Sequence, residues 1–188
     1  MILSASHKVA APHIRELSTA EEIGTIQRLR YAIWKSEGVL LDRPEFEVIA
    51  DHHDDHAAHW GVFDGEQLVG AARLCLHDQV SEAPDAEMFN SVVLSTPVAS
   101  MNRLVVLKQY RHRGIARLLD EARVQKAREW SARTVIVAPI DIESRKRSLG
   151  LLGFEVLPDI VGWAKWSPGV KICACYLVLR AEKVGDND

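Results

Sequence analysis

No apolar run in this chain approaches the ~20 residues that a membrane-spanning helix requires. Residues 1–11 carry His7 and Lys8 in place of a long apolar core, so the reading expects neither a membrane segment nor a signal peptide, and a cytoplasmic protein. Basic charge is not in excess. The 23 Lys and Arg face 26 Asp and Glu for a net charge of -3, which argues against a general nucleic-acid binder. Cysteine is scarce: Cys75, Cys173 and Cys175 have no Cys-x-x-Cys spacing and an odd count, which excludes a disulfide framework and argues against structural zinc. Cys173 and Cys175 lie two apart in an apolar run, so on a strand they share a face as buried, inert thiols. A Gly-x-Gly-x-x-Gly fingerprint and a Gly-Lys-Ser/Thr loop are both missing, as are linkers, repeats and low-complexity tracts.

What is present is enough for one core. A chain of 188 residues, 47% hydrophobic, reads as a single domain over 1–188 with its core at about 13–180. A short strand over 13–17 precedes Ser18 and Glu21, whose spacing fits a capping box. Ile23, Ile26, Arg30, Ile33 and Trp34 then recur at helical spacing up to a stop at Gly38. The stretch 39–59, rich in Asp and His, reads as loop plus a short helix outside the core. Asp64-Gly65 joins two apolar runs as a hairpin, and 77–97 is left open for want of any pattern. A strand over 100–107, a helix from Ile115 to about Trp130, an apolar strand at 134–138, a basic helix at 144–152 and two final strands complete a mixed α/β sheet.

Arg111-His112-Arg113-Gly114-Ile115-Ala116 lies between a strand and a helix. Glycine there lets backbone approach a ligand closely, and the first free amides of the helix favour an anion. Phosphate binding and an ordinary basic helix start both fit that spacing. His52, His53, His56 and His59 among Asp51, Asp54 and Asp55 match no recognised zinc spacing. They read as a solvated acidic loop or a surface for a cationic acceptor rather than as a metal site.

Arg111-x-x-Gly114-x-Ala116 after Leu104-Val105-Val106, with Leu151-Leu152-Gly153-Phe154 downstream, resembles the acetyl-CoA signature of the GCN5-related N-acetyltransferase (GNAT) superfamily over most of the chain. The resemblance implies a mixed sheet of about six or seven strands with splayed fourth and fifth strands and about four helices. It implies acetyl-CoA as acyl donor, with the pantetheine arm along the backbone of Leu104, Val105 and Val106 and the pyrophosphate on the amides of Arg111, His112, Arg113, Gly114, Ile115 and Ala116. The partner is a small-molecule amine. A homodimer is left open, and neither metal nor nucleic acid nor membrane is implied.

Arg30, Glu47, Asp51, Asp54, Ala57, His59, Val69-Gly70, Ala72-Arg73-Leu74 and Arg103 also resemble the N-terminal pattern of acyl-homoserine-lactone and N-acyl amino acid synthases in that superfamily. This implies an amino-acid-like acceptor met by Glu47, Asp51, Asp54, Arg73 and Arg103, and, as an alternative, a longer acyl chain on CoA or acyl carrier protein. Direct attack of an amine on a thioester passes through a tetrahedral oxyanion, which a backbone N–H near Val106 could stabilise. The chain departs from its relatives at three positions: Ser100 stands for a common glutamate, Leu149 for a tyrosine and Ile142 for an asparagine. Ser100 and Asn102, on one strand face, and Ser144 at a helix start are replacement candidates for holding a proton-relay water. Polar lining and a helix N-cap are their structural readings, and Tyr176 is a further candidate. A catalytically inactive acyl-CoA sensor is the rival from another class.

Overall fold

The computed structural model describes residues 11–38, 47–164 and 169–180. In chain order its elements are β1 (His13–Leu17), α1 (Ala20–Ser36), β2 (Ala58–Asp64), β3 (Gln67–His77), β4 (Val98–Val106), α2 (Ile115–Glu129), β5 (Thr134–Val137), α3 (Glu143–Gly150), β6 (Glu155–Trp163) and β7 (Lys171–Val178). They form one seven-stranded mixed sheet in the order β1-β2-β3-β4-β5-β7-β6. The β4–β5 pair is parallel and the other neighbours run antiparallel. The expected count of about four helices resolves, among the described residues, into three α-helices and four short 3₁₀ turns. The short helix expected within 39–59 is the 3₁₀ turn His52–His56, and two further turns, Val80–Glu82 and Ala86–Phe89, occupy the unpatterned stretch.

Strand alternation divides the two faces of the sheet. Ala72, Leu74, Ala99 and Met101 pack with Ile115, Leu119, Val124 and Ala127 of α2, whereas Ala71 and Val105 pack with Ile26, Ile33 and Trp34 of α1. The α1 cap is one residue later than read. Thr19 Oγ1 accepts from the Glu22 N–H and the Glu22 carboxylate accepts from the Thr19 N–H, because Ser-x-x-Glu and Thr-x-x-Glu overlap here. The hairpin turn likewise falls at Gly65-Glu66, Asp64 being paired with Gln67.

Two irregularities of β4 shape what lies beside it. Its pairing with β5 ends after Val98↔Thr134, Ala99↔Val135 and Ser100↔Ile136, so the edge beyond Ser100 is open, as the expected splay requires. On its other side Ala71 pairs with Val105 and Arg73 with Asn102, which sets Arg103 and Leu104 against Ala72 alone. This is a β-bulge with Arg103 at φ 56°, a left-handed conformation costing an L-residue about 1–2 kcal/mol. The Leu107 N–H donates to Val69 O at 2.9 Å, so alternation directs the Val106 peptide groups to the open edge.

Candidate active site

The loop after β4 makes a 3₁₀ turn, Lys108–Tyr110, and enters α2 through His112 at φ 62° and Gly114 at φ 81°. Among the described residues nothing accepts a hydrogen bond from the amides of residues 112–117. A 15-residue helix thus begins with unpartnered donors and the positive end of its dipole, which suits a phosphate oxygen. A Cβ built on Gly114 meets no atom within 4 Å. Gly70 serves the same loop by absence: a Cβ there would lie 2.9 Å from Ile115 Cγ2, so only glycine lets the first turn of α2 sit this close to β3.

The two loop arginines are occupied within the protein. Arg111 donates from Nε to Val106 O at 3.2 Å and pairs with Glu37 at the end of α1, while the Arg113 guanidinium lies 5.1 Å from the Tyr110 ring centre. A cavity of about 570 Å³ opens beside them, lined by Ile33, Ser36, Glu37, Leu107, Lys108 and Arg111. His112 and Gly114 are exposed, Ile115 is buried in the core and Ala116 is half-buried.

On the α1 face the predicted acceptor residues Asp51, Asp54, Arg73 and Arg103 meet in one network. Asp54 accepts from Arg30 at 2.9 Å and from Arg73 at 2.8 Å. Asp51 is shared by Arg73 and Arg103, and the Arg103 guanidinium stands 5.3 Å from the Trp34 ring centre. Arg30 and Arg73 are 0% and 1% exposed and Asp54 is 5% exposed, so the expectation of a solvated acidic loop is corrected at Asp54, while His52, Asp55 and His56 are exposed. The segment turns inward because two buried cations on α1 and β3 require its carboxylate. Asp51 and Arg103 remain half-exposed, while Glu47 is exposed and joins none of these residues. Burial alone would raise the Asp51 and Asp54 pKa values. Arg73 and Arg103 at Asp51, and Arg30 and Arg73 at Asp54, outweigh it and hold both below the usual carboxylate range. Burial lowers the pKa of His59, which faces Arg30 through Nδ1 at 3.3 Å and donates from Nε2 to Asp54 O.

Ser100 and Asn102 share a face of β4 where the splay begins. Asn102 accepts from Arg73 Nε and donates from Nδ2 to Ser100 Oγ at 3.1 Å. Ser100 Oγ also lies 2.8 Å from Nε2 of His77, a residue the sequence reading passed over. His77 opens the stretch that showed no pattern, and the register that sets it beside Ser100 was not legible in the sequence.

Ser144 stands apart. It is exposed in the first turn of α3, whose N-cap is Ile142, so the capping role is not found. The Tyr176 hydroxyl donates to Glu155 at 2.7 Å. Leu149 is fully buried, Ile142 is half exposed, and all three cysteines are free and buried, Cys173 and Cys175 with their sulfurs 4.0 Å apart on one face. Among the described residues no group of three or more His, Cys, Asp or Glu side chains is placed to hold a metal ion, and no helix is long and apolar enough to cross a membrane.

Comparison with known proteins bears on this arrangement. The model of the acetyltransferase (GNAT) family matches residues 24–154. No curated protein matches the chain in sequence. Among solved structures, the CoA-dependent acyl-homoserine lactone synthase BjaI, solved with SAM and isopentyl-CoA, is similar with a TM-score of 0.68 and 18% identity over 90% of this chain and 84% of that one. FeeM, an N-acyl amino acid synthase from uncultured soil microbes, gives 0.65 and 15% over 89% and 90% of the two chains. Arabidopsis thaliana NAA60 in complex with acetyl-CoA gives 0.63 and 17% over 89% and 98%. At these identities the likeness is one of fold.

Proposed function

Because the chain belongs to the acetyltransferase (GNAT) family and is an acyltransferase, we propose that it moves an acetyl group from acetyl-CoA to the amine of a small, amino-acid-like acceptor. The observation that carries this reading is the juxtaposition of three features: unpartnered amides at the start of α2, the open edge of β4, and a half-exposed Asp51–Arg103 pair on the same side of the sheet as Ser100.

The residues fit the donor. The amides of 112–117 and the space above Gly114 would take the pyrophosphate, and the open backbone of Leu104, Val105 and Val106 would pair with the pantetheine arm. The Val106 N–H would donate to the oxyanion formed at the thioester carbonyl. On the acceptor side, Arg103 offers a planar guanidinium to a carboxylate or lactone carbonyl and Asp51 an anion to the amine. Asp54 and Arg73 are too deeply buried to meet a ligand directly; they fix the position of Asp51 and, through Asn102, of Ser100. The fold shared with an acyl-homoserine lactone synthase and an N-acyl amino acid synthase supports this acceptor class, and acyl chains longer than acetyl, on CoA or acyl carrier protein, belong in the same assay.

The test uses acetyl-CoA with a panel of L-amino acids, homoserine lactone and short peptides, scored for acylated product. With the fastest acceptor found, Arg103→Ala should raise the acceptor KM roughly tenfold or more, the scale of a lost charge-assisted contact, and leave acetyl-CoA affinity nearly unchanged. An equal loss of both would mean that Arg103 only maintains the β4 bulge.

A further inference from the structure

His77 occupies a position between two environments. On one side Nε2 lies 2.8 Å from Ser100 Oγ, at the last residue of β4 that pairs with β5. On the other, the ring lines a cleft of about 220 Å³ formed with His52, His53, His56, Cys75 and Glu82. Among the described residues no group is hydrogen-bonded to Nδ1 of His77, yet the only buried, unpartnered side-chain nitrogen or oxygen among them is Arg30 Nε. Nδ1 therefore reaches the cleft. The residue is 7% exposed in all, so the imidazole bridges a buried hydroxyl to an open space.

The hydrogen bonds have a direction. Asn102 Nδ2 can only donate, so Ser100 Oγ accepts from it; the Asn102 oxygen is held in turn by Arg73 Nε, which fixes the amide orientation. With its hydroxyl hydrogen turned to Nε2, Ser100 keeps one lone pair for a nucleophile or a water on the splayed side of β4.

We propose that His77 is the terminal proton acceptor of the acyl-transfer site, acting through Ser100. The proposal rests on the acyltransferase reading above. As the amine nitrogen bonds to the thioester carbonyl carbon and the carbon–sulfur bond breaks, the amine proton passes to Ser100 Oγ, directly or through one water. The Ser100 hydroxyl proton moves to His77 Nε2, and the imidazolium so formed gives that proton back from Nε2 through Ser100 and water to the departing thiolate, which restores the neutral Nδ1–H ring. Atoms and charge balance with no further reactant. His77 does not touch the substrates; it is a positioning and proton-holding residue.

The groups facing it set the expected pH range. Burial, then His53 on the 3₁₀ turn His52–His56, whose ring is 5.7 Å away edge-on, and Arg73 on β3 disfavour the imidazolium, while Glu82 on the turn Val80–Glu82 favours it. Cys75, two residues back on the same strand, is itself pushed up by burial and stays a neutral thiol. The balance places the His77 pKa below the ordinary histidine value, leaving it neutral and ready to accept a proton at pH 7.

Hydrolysis of acetyl-CoA isolates this group, because water replaces the amine and no acceptor titration intrudes. For the full chain with acetyl-CoA alone, the hydrolysis rate should fall as pH drops below the ordinary histidine pKa of about 6.5. His77→Gln, which can hold Ser100 but no proton, should lose that limb and lower the rate on the order of a hundredfold, with acetyl-CoA affinity and melting temperature near the parent's. Ser100→Ala should behave alike although His77 is intact. A His77→Gln variant that keeps both limb and rate overturns the proposal while leaving the transferase reading in place. Should the parent hydrolyse nothing and acylate nothing on the panel, the transferase reading itself fails. Nitrogen-15 NMR of the histidine rings with CoA bound reads the Nε2 state without turnover, so that in an active parent unprotonated Nε2 at pH 7 supports the His77 assignment and protonated Nε2 overturns it.

Discussion

Asp54→Asn should lower the unfolding free energy by about 3–5 kcal/mol, the cost of removing one partner from a buried ion pair. The side chain at 54 answers two guanidinium groups that are 0% and 1% exposed, Arg30 and Arg73. Asparagine preserves the shape and leaves both cations without their shared anion, so the urea midpoint should move by that amount. The same network gives the parent a specific acid sensitivity. His59 is held neutral by burial against Arg30, so its folded pKa lies below the unfolded value of about 6.5. The unfolded chain therefore binds a proton that the native chain refuses, and stability falls as pH drops from 6.5 through the folded value. A second loss follows below about 3.8, where Asp51 and Asp54, with folded pKa values depressed by the arginines, remain ionised only in the native state. Asp54→Asn should show less of this second loss. Urea midpoints between about pH 7 and pH 3 separate the two phases, and a parent midpoint that is flat over that range would contradict the assignment.

Gly114→Val should abolish the rise in melting temperature that acetyl-CoA gives the parent. A Cβ at this position has no protein atom within 4 Å, so the substitution places its bulk in the open space where the anion would approach the amides of α2. Left-handed backbone at φ 81° adds about 1–2 kcal/mol of strain to the unliganded variant, so the unliganded melting points must be compared first. At a concentration 100 times the Kd, ligand binding stabilises the parent by about 2.7 kcal/mol, and the variant should gain close to nothing. A variant stabilised by the same margin as the parent removes this loop from the binding site.

The parts of this site that depend on neighbouring residues were legible in the sequence. Gly114 between an apolar run and an amphipathic one marked a strand–loop–helix junction because each signal is local, and the continuous apolar, β-branched run in 134–138 marked the buried β5. Partners brought together by tertiary structure were not. Asp54 finds Arg30 and Arg73 at separations of 24 and 19 residues, and nothing in 51–59 distinguishes a carboxylate bound for the core from one bound for solvent. The β4 bulge was hidden because the residue that adopts φ 56° is arginine, not glycine, and its conformation follows from strand pairing and the Asp51 contact. The pairing of His77 with Ser100 required the β3–β4 register. The stretch 77–97 gave no period because its helices are 3₁₀ turns of three and four residues, too short to show one.

The central claim is that this chain transfers an acyl group. It is tested most directly by incubating the full chain with acetyl-CoA and the panel of L-amino acids, homoserine lactone and peptides, and quantifying free CoA and acylated amine together. The result expected is an acylated product formed in step with CoA, one for one, above the rate of hydrolysis and with a rising pH limb set by the acceptor amine. Tight CoA binding with no CoA release above hydrolysis for any amine would contradict it and leave a protein that senses acyl-CoA without turning it over.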